Sequence, residues 1–250
     1  MEGPTLIWYE RQLAHLAGER VARVGGDRGE QAKPLIGATL GSAFAEGKLL
    51  YLPFEGRDTL LRLHCLMFGD VRLNRTRPGK RLTLRLSLDS GDKVYVYLGA
   101  AKAVPADERD PYRISRDLCR DAFDPATTWA DALHTLGPET LVCDALLDQR
   151  HFPGLGNKIK NEAFFETRIH PGVGMGQLQD DGRWEPLLAA CRDYAHRWID
   201  TIFDRGLDHV SPPTRTYRRK RCSRCDTTLE VAKLGDLQRK CCWCPNCQPA

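Results

Sequence analysis

The sequence predicts an α+β chain: a leading helix, a β-sandwich of short strands, a run of helices, and a small cysteine-rich module at the carboxyl end. Three observations carry this. Short apolar segments broken by turn residues fill the first 110 or so positions, and longer segments with helical spacing follow from residue 127. Six of the ten cysteines fall within the last 29 residues. We therefore expect a sandwich domain over 1–110, a linker over 111–126, a helical domain over 127–214 and a metal-bound module over 215–250. With 250 residues, 42% of them hydrophobic, the chain can support two or three cores.

The elements follow in order. Residues 6–16 place Leu6, Trp8 or Tyr9, Leu13 and Leu16 on one helical face. Strands are expected over 48–54 and 58–67, around the turn Glu55-Gly56-Arg57, and over 81–88 and 93–98, around Asp89-Ser90-Gly91-Asp92. In the last of these Val94, Val96 and Leu98 alternate with Lys93, Tyr95 and Tyr97. Several short strands with regular turns imply a sandwich. Residues 105–125 are rich in charge and proline and read as the linker. Helices are expected over 127–136, 139–149, 158–167 and 183–204, with Pro138 tolerated in the first turn of the second. There is no internal repeat.

No stretch approaches the roughly 18 apolar residues of a membrane span. The start Met1-Glu2-Gly3-Pro4 lacks the basic region and apolar run of a signal peptide, so a cytosolic protein is expected. A net charge of +4 does not by itself point to nucleic acid. Its distribution does: residues 215–240 hold nine basic side chains against three acidic ones, which suits a phosphate backbone.

Cys222-Ser223-Arg224-Cys225 and Cys244-Pro245-Asn246-Cys247 are two CxxC knuckles with 18 residues between them. Each knuckle turns two thiolates toward one point, and four thiolates complete the tetrahedron of a closed structural zinc site. Cys241 and Cys244 also form a CxxC, so a second pairing is open at this point; Pro245 favours Cys244 with Cys247. The scattered Cys65, Cys119, Cys143 and Cys191 read as buried structural thiols. The seven histidines lack metal-ligand spacing.

Phe152-Pro153-Gly154-Leu155-Gly156-Asn157 leads directly into Lys158-Ile159-Lys160. The glycines allow a tight turn, Asn157 is a favourable helix N-cap, and a helix N-terminus beside lysines can hold an anion.

This turn, between helices and 65 residues upstream of a four-cysteine module, resembles the helix–two-turn–helix of the formamidopyrimidine-DNA glycosylase and endonuclease VIII family. Three further motifs share the resemblance. Glu2-Gly3-Pro4 is similar to that family's amino terminus with its leading proline missing. Residues 64–69, His-Cys-Leu-Met-Phe-Gly, resemble the strand and loop that follow its lysine hairpin. Gln238-Arg239, five residues before the third expected ligand Cys244, matches the arginine of its β-hairpin zinc finger.

The resemblance spans residues 2–248 and implies a monomeric base-excision repair enzyme of bacterial type, working on the chromosome. It implies binding of duplex DNA with a damaged or abasic site, in a cleft between sandwich and helical domains. The nucleotide is flipped out, an amino-terminal amine attacks the sugar and releases the base, and elimination from the resulting Schiff base cuts the strand. Carried over, catalysis falls to Met1, Glu2 and Lys48. Met1 would supply the α-amine in place of the proline, because Glu2 disfavours removal of the methionine. An α-amine ordinarily titrates at about 7.7–8.0, so on the order of a tenth is unprotonated at neutral pH. Glu2 would carry protons, and Lys48 would meet phosphate and assist departure of the base. Asn157, Lys158 and the adjoining amides, with Arg239, would hold phosphates. Met67 would fill the gap left by the flipped base, and zinc would sit on Cys222, Cys225, Cys244 and Cys247. Thr5 stands where the family commonly has a second glutamate. The start of the chain leans toward oxidised pyrimidines and the Met67 segment toward oxidised purines. A fold that binds damaged DNA without chemistry is the alternative.

Overall fold

A computed structural model describes residues 1–110, 113–206 and 210–250. It divides into two compact units, Met1 with Thr5–Pro111, and Glu2–Pro4 with Tyr112–Ala250.

The first unit contains most of α1 (Gly3–Leu13), whose periodicity continues through a 3-10 turn at Ala14–Leu16. Then come β1 (Val21–Gly25), α2 (Gly29–Ala32), β2 (Phe44–Glu46), β3 (Leu49–Pro53), β4 (Thr59–His64), β5 (Asp70–Leu73), β6 (Leu82–Leu88), β7 (Lys93–Tyr97) and β8 (Ala100–Pro105). Two four-stranded antiparallel sheets form, with orders β1-β6-β7-β5 and β2-β3-β4-β8. Their inward residues make one core: Leu50, Leu52, Leu61 and Leu63 from one sheet with Val21, Leu84, Leu86, Val94 and Val96 from the other. Leu6, Tyr9, Leu13 and Leu16 join it. This is a β-sandwich with a leading helix. Each fully buried leucine contributes about 1.5–3 kcal/mol.

Two expectations change in detail. The strand expected over 58–67 stops at His64. Leu66 adopts a left-handed φ of 50°, and a side chain on Gly69 would strike the Cys65 carbonyl, so residues 65–69 form a tight loop. β7 is buried on both faces, although its alternation suggested one. Tyr95 and Tyr97 stack on each other with centroids 6.1 Å apart, and the Tyr97 hydroxyl accepts a hydrogen bond from the Arg77 amide at 3.0 Å.

The second unit holds α3 (Arg113–Arg116), α4 (Pro125–Leu136), α5 (Val142–Ala145), α6 (Asn157–Thr167), α7 (Met175–Asp180), α8 (Trp184–Arg205), β9 (Glu230–Leu234) and β10 (Arg239–Trp243). α4 begins at an Asp124 cap that accepts from the Thr127 amide at 3.1 Å. α6 packs on α8, and Ile159, Ala163 and Phe164 of the first and Leu188, Cys191, Ala195 and Ile202 of the second are buried, while Phe165 packs against Cys222, Leu229 and Cys244 of the cysteine module. The helix expected over 139–149 is only the four residues of α5. Asp148 accepts from the Arg150 amide at 2.9 Å, a local bond that competes with helix. Pro138 therefore opens no helix; its carbonyl accepts from Gly176 at 2.9 Å. Within the stretch read as linker, α3 forms and Leu118 and Cys119 are buried, while Pro111 and Tyr112 lie outside the described residues. No described helix is long and apolar enough to cross a membrane.

Candidate active site and nucleic-acid interface

The sulfurs of Cys222, Cys225, Cys244 and Cys247 all lie within 4.8 Å of one another. Three of their separations are 3.5, 3.5 and 3.9 Å, between Cys225 and Cys244, Cys247 and Cys225, and Cys222 and Cys247. Four sulfurs at about 2.3 Å from one zinc form a tetrahedron with edges near 3.8 Å. The donor set fits that ion, and the distances are far longer than a disulfide. The Cys225 thiol is drawn down to about 5, chiefly by its hydrogen bond with the Thr227 hydroxyl, while the Cys247 thiol is pushed up to about 12, chiefly by its bond to Cys225. Thiols this close resist losing protons together unless a cation sits among them. Cys241 is not part of the group. Its sulfur is 3.1 Å from the buried Lys160 ammonium.

β9 and β10 pair antiparallel, with Arg239 opposite Leu234, so the hairpin tip is residues 235–238. β10 is bound to α6: Asn157 and Asn161 donate to the Lys240 carbonyl at 3.0 and 3.2 Å, and Asn161 accepts from the Cys242 amide at 2.6 Å. Where the chain enters the module, the buried Glu162 carboxylate accepts from the amides of Arg215, Thr216 and Tyr217 at 2.7, 3.1 and 2.7 Å. Arg239 is exposed beside the tip, and among the described residues its guanidinium has no partner.

The turn at 153–157 is buried and stitched by Gln149, which donates to the Leu147 and Leu155 carbonyls and accepts from Gly154. Asn157 is not the N-cap expected. Gly156 takes that position, and Asn157 spends its amide on β10. The free amides of α6 are capped instead by Glu2, whose carboxylate accepts from Lys158 at 2.8 Å and Ile159 at 3.2 Å. These amides, read from sequence as a phosphate site, are occupied by a carboxylate from the chain itself. The glycines make room for it. Gly3 donates to the Gly154 carbonyl at 2.8 Å, a Cβ on Gly3 would lie 2.9 Å from the Cys119 sulfur, and one on Gly156 would overlap the Glu2 carboxyl. Lys158 turns its ammonium inward, to the Ser211 hydroxyl at 2.8 Å and over the Trp198 ring at 4.1 Å, and burial pushes it below the usual lysine value.

In the first unit, the Met1 α-amine donates to the Leu66 carbonyl at 3.4 Å. Leu66 belongs to the loop that closes β4, and there Leu66, Met67 and Phe68 are 47%, 66% and 73% exposed. Three consecutive large apolar side chains in water form an unusual patch. Arg77 donates to the Phe68 carbonyl at 3.5 Å and pairs with Asp70 at 3.3 Å, bracing the loop. Lys48 and Gly47 are the two turn residues between β2 and β3, since Glu46 pairs with Leu49. The buried Glu46 is ion-paired with Arg109 and anchors that turn. Thr5 is buried.

Comparisons with known proteins bear on the fold that carries these residues. No protein-family model matches the sequence. Mouse endonuclease 8-like 3 is 29% identical over 209 residues, covering 81% of this chain and 33% of that protein. Bovine endonuclease 8-like 2 is 30% identical over 209 residues, covering 79% of this chain and 60% of its own. The chain thus spans about a third to three fifths of these curated relatives. Among solved structures, a viral DNA glycosylase superposes with a TM-score of 0.87 at 21% identity, covering 99% of this chain and 100% of its own. Lactococcus lactis formamidopyrimidine DNA glycosylase, non-covalently bound to DNA containing an abasic site, gives 0.81 at 22% identity with both chains fully covered. Both superpositions extend over essentially the whole of the fold described above. In sequence the chain is similar to the endonuclease 8-like proteins, and in fold to formamidopyrimidine DNA glycosylase.

Sequence reasoning missed several contributors. Leu66 and Phe68 were legible as a Leu-Met-Phe run with no polar alternation before Gly69. Asn161 and Glu162, on a helix with apolar neighbours, gave no signal, because a buried Asn or Glu is recognised only by the amides it meets.

Proposed function

We propose that this chain is a bifunctional DNA glycosylase and abasic-site lyase that removes oxidised bases from duplex DNA and cuts the strand. The observation that carries the proposal is the fixed carboxylate of Glu2. It is held by two amides of α6, one peptide bond from an α-amine that reaches the exposed Leu66–Phe68 loop.

The Met1 amine, as the free base, attacks C1′ of the damaged nucleotide. The bond from C1′ to the base breaks, and the base departs with the electron pair and takes a proton. Opening of the sugar ring leaves an imine between C1′ and the Met1 nitrogen. Loss of a proton from C2′ then expels the 3′ phosphate and cuts the strand. Glu2 is placed to carry these protons, and Lys48 to meet phosphate. Met67 and its apolar neighbours fill the space vacated in the stack. Arg239 grips the backbone with its planar fork, and Asn157 serves it by fixing the strand that carries it, through the Lys240 carbonyl.

Cys222, Cys225, Cys244 and Cys247 would hold one zinc, whose part is to fold the hairpin that presents Arg239. Duplexes with a single abasic site, an oxidised pyrimidine or an oxidised purine test the reading. Base release, strand cleavage and covalent capture by borohydride are expected. Tight binding to the abasic duplex with no capture would identify a protein of this family that binds damage without chemistry, a reading favoured by the buried Thr5.

A further inference from the structure

Asp144, the third residue of α5 (Val142–Ala145), reaches the tip of the finger. Its Oδ2 accepts from the Asp236 amide at 2.5 Å and from the Leu237 amide at 3.2 Å. The approach is too close for any side chain at residue 235. A Cβ there would occupy the place of the Asp144 carboxylate, and Gly235 also sits at φ +66°. Gln238 closes the tip at φ 49°, donating from Nε2 to the Gly235 carbonyl at 2.6 Å. Arg239 is the next residue. Immediately beyond it, the Lys240 carbonyl is fixed to α6 by Asn157 and Asn161. Arg239 is therefore suspended between two tethers, one from α6 and one from Asp144.

We propose that Asp144 is a positioning residue for Arg239: it holds the finger tip so that the guanidinium is presented in one place. The inference rests on the reading of Arg239 as a phosphate contact. A carboxylate near a phosphate-gripping arginine opposes anion binding through its field. Any contribution of Asp144 to DNA affinity must therefore come through the hydrogen bonds it accepts. Without them the tip amides turn to water and the arginine samples a wider volume, losing the benefit of a preset geometry.

The experiment measures affinity for a duplex with an abasic-site analogue in the zinc-loaded full chain. Variants are Asp144→Ala, Asp144→Asn, Arg239→Ala and the double variant Asp144→Ala with Arg239→Ala. Amide exchange at residues 236 and 237 is followed alongside zinc content. Asp144→Ala is expected to weaken binding by roughly five- to tenfold, and to speed exchange at both amides with zinc retained. Asp144→Asn, which keeps an oxygen acceptor and removes the charge, is expected to match or exceed the parent. In the Arg239→Ala background, Asp144→Ala should change affinity by less than about twofold, because coupled residues are not additive.

Full additivity, or an Asp144→Ala variant that binds as well as the parent, overturns the positioning role. If Arg239→Ala alone leaves affinity unchanged while Asp144→Ala frees the amides, the phosphate reading of Arg239 has failed, and the positioning role falls with it. Should Asp144→Ala fail to fold, Gly235→Ala displaces the same contact from the other side and is expected to give the same loss. Parent-level affinity in that variant also overturns the proposal.

Discussion

A single peptide links the proposed nucleophile to its proton carrier, so glycines that leave room for that peptide become functional residues. Gly156 is the sharpest case, because any side chain there overlaps the Glu2 carboxyl. Gly156→Ala is expected to reduce Schiff-base capture by at least about tenfold, equivalent to roughly 1.4 kcal/mol of barrier. Zinc content and DNA affinity should stay near those of the parent. Capture at the parental rate would show that the Glu2 clamp on α6 is not part of the chemistry. Phe68 is tested separately. At 73% exposure it contributes nothing to the core, so Phe68→Ala should leave the melting temperature unchanged. Binding to an abasic duplex should weaken by about 1–2 kcal/mol if the ring stacks on a base. An unchanged affinity would confine the wedge to Met67.

At the scale of elements, the proposed role of the finger hairpin is to hold Arg239 toward phosphate. Arg239→Ala is expected to cost roughly 1.5–3 kcal/mol of DNA affinity across sequences, and to lower the salt dependence of binding by about one counterion. Equal salt slopes for parent and variant would place the tip away from phosphate. The hairpin was legible in sequence because knuckle spacing is a local covalent pattern. The docking of β10 was not, because Asn161 and Glu162 act on amides of residues 240–242 and 215–217, far away in sequence. The same distinction explains the strands. β6 and β7 carry apolar alternation and β3 and β4 short apolar runs, whereas β8 (Ala100–Pro105) is built largely of alanine, valine and lysine and becomes a strand by pairing with β4. α6 was found within a residue of its start, but its cap was misassigned. Asn157 is a good N-cap by type, and only the fold brings Glu2 to the amides instead.

At the scale of the whole molecule, a zinc ion on Cys222, Cys225, Cys244 and Cys247 would couple metal to fold through the finger. Stripping the ion with a chelator at neutral pH is expected to unfold residues 222–247 and to abolish damage-dependent DNA binding. In small zinc modules the ion's binding free energy, on the order of 10 kcal/mol, is folding free energy. Binding that survives chelation would separate DNA recognition from the finger. The central claim concerns the other end of the chain, where the amine of Met1 is taken to form the bond to DNA. The most direct measurement is borohydride capture on an abasic duplex, followed by peptide mapping of the cross-link. The account predicts an adduct on the peptide containing Met1 and its loss when one or more residues are added before Met1. An adduct on Lys48, or capture undiminished by the extension, would contradict it.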